Sequence, residues 1–219
     1  MSSTFMHALA GIHVYPITDR HLSGLSHAEQ VAQLSDGGAP LIQLREKLDT
    51  PLKFYAEAEA ALRVARDRCV RIIINDRVDI ALALGADGVH LGQEDLAPEA
   101  ARSILGPNAI IGFSTHNLEQ ARLSAQMPVD YVAIGPIFVT ATKKSLNPPV
   151  GLDGLERVRQ TLGTIPVVAI GGITSENIES VLSAGADAVA LISDIWQPGM
   201  EAPTKIRRLL NAPKARHFK

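Results

Sequence analysis

Eight short apolar runs, rich in β-branched residues and spread along the whole length of 219 residues, restrict this chain more than any other feature. They are IHVYPI (12–17), PLIQL (40–44), RIII (71–74), GVHL (88–91), AIIGF (109–113), YVAI (131–134), VVAI (167–170) and AVALI (188–192). Runs of this length that stay apolar throughout predict strands of a parallel sheet covered on both faces. Helical patterns fill the intervals. Over 52–68, Tyr55, Ala58, Leu62 and Ala65 form one stripe at helical spacing, and Pro51 stands where a missing N–H is harmless. TSENIESVLSAG (174–185) predicts another helix, with Thr174 or Ser175 as N-cap and Gly185 as its stop.

Eight strand–helix units of about 26 residues each lie at the compact end of the (β/α)8 range. A doubly wound open sheet usually carries a G-x-G-x-x-G turn after its first strand, but ITDRHLSG stands there. No Pro-, Gly- or Ser-rich linker divides the chain. The expectation is an α/β protein, a single TIM-barrel domain over 1–219, with 1–11 and 211–219 as flexible ends. The phrase GAD occurs at 85–87 and again at 185–187, each time before a strand, and predicts turn chemistry at the stable end of the barrel.

With 46% hydrophobic residues the chain buries an ordinary core, and its net charge of −2 favours neither nucleic acid nor an anionic membrane as partner. An anionic ligand must then be held by local groups. Cys69 stands alone, which excludes a disulfide framework and a thiolate metal cluster. The start MSSTFMHALAGIHVYPI lacks a basic leader region, and no stretch approaches about 18 apolar residues. These features predict a soluble, cytoplasmic protein acting on small molecules, and leave a homo-oligomer open.

In such a barrel the chemistry sits where strands finish. After the second run, IQLREK places Gln43, Arg45 and Lys47 on one face at period two, where barrel interiors are ordinarily apolar. After the third and fourth runs come Asn75 with Asp76, and Asp95. Two carboxylates on neighbouring strand ends would repel unless a hard cation such as Mg2+ lay between them. Either aspartate alone would read as a helix N-cap. The fifth run ends at Ser114 and His116, and His90 within the fourth reads as a packed, hydrogen-bonded histidine. The long segment 135–151 carries Thr140, Thr142, Lys143 and Lys144, suited to phosphate oxygens. After the last two runs, Gly171, Gly172, a helix start near Thr174, and Ile192 with Ser193 make the phosphate site that barrels commonly build there. Two anion sites flank neutral Gln43 and Asn75, an arrangement suited to a transferase with pyrophosphate as leaving group.

The motifs QLREK, IINDR, ADGVHLGQEDL, GFSTH, GPIFVTATKK, AIGGIT and AVALIS together resemble those of the thiamine phosphate synthase family, over about 12–195. That resemblance implies condensation of 4-amino-2-methyl-5-hydroxymethylpyrimidine pyrophosphate with hydroxyethylthiazole phosphate, by Mg2+-assisted dissociative loss of pyrophosphate. It implies that Gln43, Arg45, Lys47, Asn75, Ser114 and Lys143 bind the pyrimidine pyrophosphate. Among these, Arg45, Lys47 and Lys143 would stabilise the leaving group. It places the metal on Asp76 and Asp95, and the thiazole phosphate on Thr140, Thr142, Gly172, Ile192 and Ser193. The stretch KSLNPPVG departs from the expected pattern. Two alternatives remain: a thiazole tautomerase on the same barrel, with His116 as proton shuttle, and a non-catalytic phosphate-ligand binder. A metal-dependent hydrolase would usually want an H-x-H pair on the first strand, where only His13 is found.

Overall fold

Strand and helix alternate in the order the apolar runs predict, in a computed structural model that describes residues 4–140, 148–197 and 199–210. The strands are β1 (Val14–Pro16), β2 (Leu41–Leu44), β3 (Arg71–Asn75), β4 (Gly88–Leu91), β5 (Ile110–Thr115), β6 (Tyr131–Ile134), β7 (Val167–Ile170) and β8 (Ala188–Leu191). All pairs are parallel, in the order β1-β8-β7-β6-β5-β4-β3-β2. A bridge between Ile17 and Gln43 joins β1 to β2 and rounds the sheet into a barrel. The helices are α1 (Thr4–Ala8), α2 (Arg20–Ser23), α3 (His27–Asp36), α4 (Pro51–Asp67), α5 (Val78–Leu84), α6 (Pro98–Leu105), α7 (Leu118–Ser124), α8 (Gly151–Leu162), α9 (Ile178–Ser183) and α10 (Ala202–Leu210).

The strands are apolar throughout because they face two cores. Ile42, Leu44, Ile72, Ile74, Val89 and Leu91 point outward and pack under the helices. Leu41, Ile73, Ile110, Val168 and Ala188, at alternate positions, fill the barrel interior. Helix α4 begins as its proline predicts, with Thr50 Oγ1 accepting from Lys53 N at 3.4 Å.

The end of the barrel where strands begin is closed twice. Residues 1–11 are expected to be a flexible end, yet Thr4–Ala8 is helical and Phe5 and Leu9 are fully buried. Phe5 stacks on Tyr131 with ring centroids 4.0 Å apart and meets Tyr15 edge-on at 5.6 Å. The apolar interior would otherwise lie open to water, and burying the plug's aromatic ring removes that exposure. The other expected flexible end, 211–219, lies outside the described residues.

A carboxylate device also recurs at this end. Asp87, just ahead of β4, accepts from Ile72 N at 2.8 Å and donates its own N–H to Ile72 O at 3.0 Å. Asp130 does the same to Ile111 ahead of β6, and Asp187 to Val167 ahead of β8. Both GAD phrases thus end in an aspartate that satisfies the otherwise unpaired start of the neighbouring strand.

Candidate active site

At the opposite end, where the strands finish, the barrel opens into a cavity of about 570 Å³. Gln43 and Asn75 rise from β2 and β3 into it and are 2% and 6% exposed. Arg45, Lys47, Asp76, Asp95 and Ser114 stand on its wall, with Thr140, Gly172, Ile192 and Ser193 on the side of β6, β7 and β8. Thr142, Lys143 and Lys144 lie outside the described residues. The geometry therefore draws together every expected site residue that it describes.

The loop after β2 has a buried organiser. The side chain of Glu46 is 3% exposed, and its Oε1 accepts from the N–H groups of Lys47 at 2.8 Å, Leu48 at 2.9 Å and Asp49 at 3.3 Å. This turn leaves Arg45 and Lys47 on the cavity wall. Arg45 Nη1 donates to Asp19 Oδ2 at 2.8 Å, and its backbone N–H donates to Thr18 Oγ1 at 3.2 Å. Thr18 lies 2.8 Å from Nδ1 of His27, which has no exposed surface. Burial pushes the His27 imidazole down to about 4, so it is neutral at pH 7 and shares a single proton with the threonine hydroxyl in this hydrogen bond.

Asp76 follows β3 in the left-handed region, with φ +64°, its N–H donating to His90 O at 2.8 Å. A non-glycine residue held there is strained, and such strain concentrates at functional positions. Its carboxylate accepts from Lys47 Nζ and faces Asp95. Burial raises the Asp76 carboxyl above its ordinary value; Lys47 opposes that rise and Asp95 adds to it. Asp95 Oδ2 accepts from Gly92 N at 2.6 Å. Neither aspartate is a helix N-cap: those positions belong to Arg77 and Ala97. Among the described residues no three His, Cys, Asp or Glu side chains converge in a group that could hold a metal ion.

The strand 7 and 8 side differs from expectation in one respect. The helix predicted from Thr174 begins only at Ile178, and its N-cap position is Asn177. Asn177 Oδ1 accepts from Thr174 N at 2.8 Å and its Nδ2 donates to Gly172 O at 3.0 Å, which holds 174–177 as a turn. Free helical N–H groups at Thr174 are therefore not part of the site. Gly171 and Gly172, with φ +97° and +67°, make room for the chain itself. A Cβ on either would lie 2.6 Å from Pro136 Cβ or 2.7 Å from Phe138 Cβ. The base of the segment after β6 is pinned there: Ile137 N donates to Ile170 O at 2.9 Å and Val150 N to Pro136 O at 2.8 Å.

The cavity floor was not foreseen. Tyr15 and Tyr131 read as ordinary strand residues, yet their hydroxyls meet at 3.1 Å across the barrel. Gln43 Nε2 donates to Tyr15 Oη at 3.0 Å, and His90 connects Tyr131 Oη to Ser114 Oγ. The signal available in the sequence is Gly112, whose Cβ would lie 2.0 Å from Tyr131 Cζ. His116, a candidate proton shuttle, donates through Nδ1 to Gly135 O at 2.7 Å and stands on the cavity wall.

The fold and this mouth define a (β/α)8 barrel with an open cavity, lined by charged and polar side chains, where its strands finish. Comparison narrows the class: residues 14–195 match the thiamine monophosphate synthase family, and the chain belongs to that family. A thiamine-phosphate synthase of Clostridium novyi is 47% identical over 183 residues, 83% of this chain and 89% of that protein. One of Albidiferax ferrireducens is 42% identical over 216 residues, 96% of this chain and 98% of that protein. The solved thiamine phosphate pyrophosphorylase of Pyrococcus furiosus superposes with a TM-score of 0.80 at 36% identity, covering 91% of this chain and 94% of that one. Among the described residues no helix is long and apolar enough to cross a membrane.

Proposed function

We infer that the protein is a transferase that condenses a pyrimidine pyrophosphate with a thiazole phosphate to give thiamine phosphate, and we assign its residues as follows. Arg45 and Lys47 bind the pyrophosphate, joined by Lys143. Gln43 and Asn75 orient the pyrimidine through hydrogen bonds, and the Ser114 hydroxyl donates to a pyrophosphate oxygen. Thr140, Thr142, Gly172, Ile192 and Ser193 hold the phosphate of the thiazole. The observation that carries this assignment is the convergence of Arg45 and Lys47, Asp76 and Asp95, and Gln43 and Asn75 in one cavity.

Asp76 and Asp95 suit Mg2+, a hard cation that takes few carboxylates and completes its shell with water and phosphate oxygens. Their fit rests on the facing pair and on the raised Asp76 carboxyl, since a cation between them would relieve the repulsion. When bound there, Mg2+ would spread the charge of a departing pyrophosphate. The chain's own groups act beside it. Arg45 and Lys47, fixed by Asp19 and Asp76, meet the negative charge that grows as the methylene C–O bond of the pyrimidine substrate breaks. Gln43 and Asn75 keep the pyrimidine in place while the thiazole nitrogen forms the new C–N bond. No nucleophilic side chain is needed for this exchange.

The purified protein, given both substrates and Mg2+, is expected to form thiamine phosphate, measured by fluorescence after oxidation. Aromatisation of a thiazole tautomer without condensation would assign the protein to the isomerase reaction, and binding without any conversion would leave a ligand-binding barrel.

A further inference from the structure

A continuous hydrogen-bond chain crosses the barrel beneath the cavity. It runs from Gln43 Nε2 to Tyr15 Oη at 3.0 Å, to Tyr131 Oη at 3.1 Å, to His90 Nδ1 at 2.9 Å, and from His90 Nε2 to Ser114 Oγ at 2.8 Å. The two tyrosines are fully buried, and burial keeps both phenols protonated. Each link therefore has one proton to place, and the links cannot be oriented independently. A buried hydroxyl or ring nitrogen left without a partner is costly.

With His90 neutral, two orientations satisfy every link and leave no phenol proton without an acceptor. In one, Gln43 donates to Tyr15, Tyr15 to Tyr131, and Tyr131 to a bare His90 Nδ1. The His90 proton then sits on Nε2 and is donated to Ser114 Oγ, leaving the serine proton to point into the cavity. In the other, every donor is reversed and the Gln43 amide is rotated; the serine proton is then directed at His90. The first orientation agrees with the Gln43 nitrogen lying on Tyr15. It also suits a wall that carries Arg45 and Lys47, because a hydroxyl facing an anion must donate.

We propose that His90, held as its Nε2–H tautomer by Tyr131, is the positioning residue that turns the Ser114 hydroxyl into an anion donor. The same orientation presents the Gln43 carbonyl to the cavity as an acceptor. A substrate that brings a hydrogen-bond donor to Gln43 and an anion to Ser114 then needs one and the same arrangement of protons. Side chains from β2 and β5 thus act in concert without touching. The inference rests on the pyrophosphate role assigned above to Ser114.

The direct test is the 15N spectrum of the imidazoles in the unmodified protein, with His90 identified through His90→Gln. A protonated Nε2 and a bare Nδ1 are expected; the opposite tautomer overturns the proposal, whether or not the protein turns over substrate. Absence of thiamine phosphate would count against the synthase reading alone, so the two failures are distinguishable. The kinetic test is a double-mutant cycle. Ser114→Ala is expected to lower kcat about 100-fold, and His90→Ala about tenfold. In the Ser114→Ala background His90→Ala should change nothing further. Additive losses would show that His90 does not act through Ser114.

Discussion

The two ends of the barrel use the same side chain in opposite ways. At the end where strands begin, Asp87, Asp130 and Asp187 each accept a backbone N–H and return one to the same residue. Arginines complete two of them: Arg102 lies 2.7 Å from Asp130 and Arg159 2.6 Å from Asp187. At the end where strands finish, Asp76 and Asp95 face each other, and burial raises the Asp76 carboxyl. A carboxylate that is fully paired stabilises the fold; one whose neighbour has the same charge is, under the proposed function, the one that serves a ligand. The difference lies in the partners, not in the residue type.

Substitutions at the two ends should separate stability from activity. Asp187→Ala leaves Val167 N without its acceptor and Arg159 without its carboxylate and is expected to cost about 3 kcal/mol in denaturant unfolding, with kcat of the folded protein unchanged. Asp95→Asn, at the other end, is expected to lower kcat about 100-fold, near 2.7 kcal/mol, and to raise the Mg2+ concentration needed for half-maximal rate. Its melting temperature should stay level or rise, because a like charge facing Asp76 is gone. An unchanged Mg2+ titration would remove the metal role from Asp95, and a fall in stability matching that of Asp187→Ala would erase the contrast between the ends.

A smaller effect probes how the cavity wall is anchored. The folded-state value of His27, about 4, lies below the ordinary 6.5, so the neutral form is favoured by folding. Its stabilising contribution is complete above pH 6.5 and is lost as pH falls through that window toward 4. The unfolding free energy at pH 5 should be about 2 kcal/mol below that at pH 7.5 through this group alone. His27→Asn, which keeps a hydrogen-bonding side chain that does not titrate beside Thr18, should flatten that slope in urea titrations at the two pH values. A slope unchanged from the parent protein would locate the acid sensitivity elsewhere.

Much of this architecture was legible along the chain. Strands buried on two faces are apolar throughout, so all eight strands lie within the apolar runs or one or two residues beyond them, as where β3 reaches Asn75 and β5 reaches Thr115. Period two put Gln43 inside and Ile42 and Leu44 outside. Where local signals competed, the reading slipped. Thr174 and Ser175 look like caps, but the Asn177 side chain bonds Thr174 N and Gly172 O, and the helix starts four residues after Thr174. The short N-terminal segment carries too little local pattern to announce a helix, and only the open base of the barrel gives Phe5 something to cover.

The sequence by itself determined the order of elements, the inward and outward alternation, and which polar residues end each strand, because these follow from periodicities of two and 3.6 residues. Tertiary structure alone decided who meets whom. Tyr15 and Tyr131 are 116 residues apart, and Lys47 and Asp76 are 29 apart. Their contacts exist because closure of a barrel brings distant strand ends around one axis. Glu46 shows the same division: it stands among charges in QLREK, yet three backbone N–H groups make it a buried organiser rather than a surface group. Periodicity states which face is covered; only closure brings the covered polar groups within hydrogen-bonding distance, and that distance is where the chemistry resides.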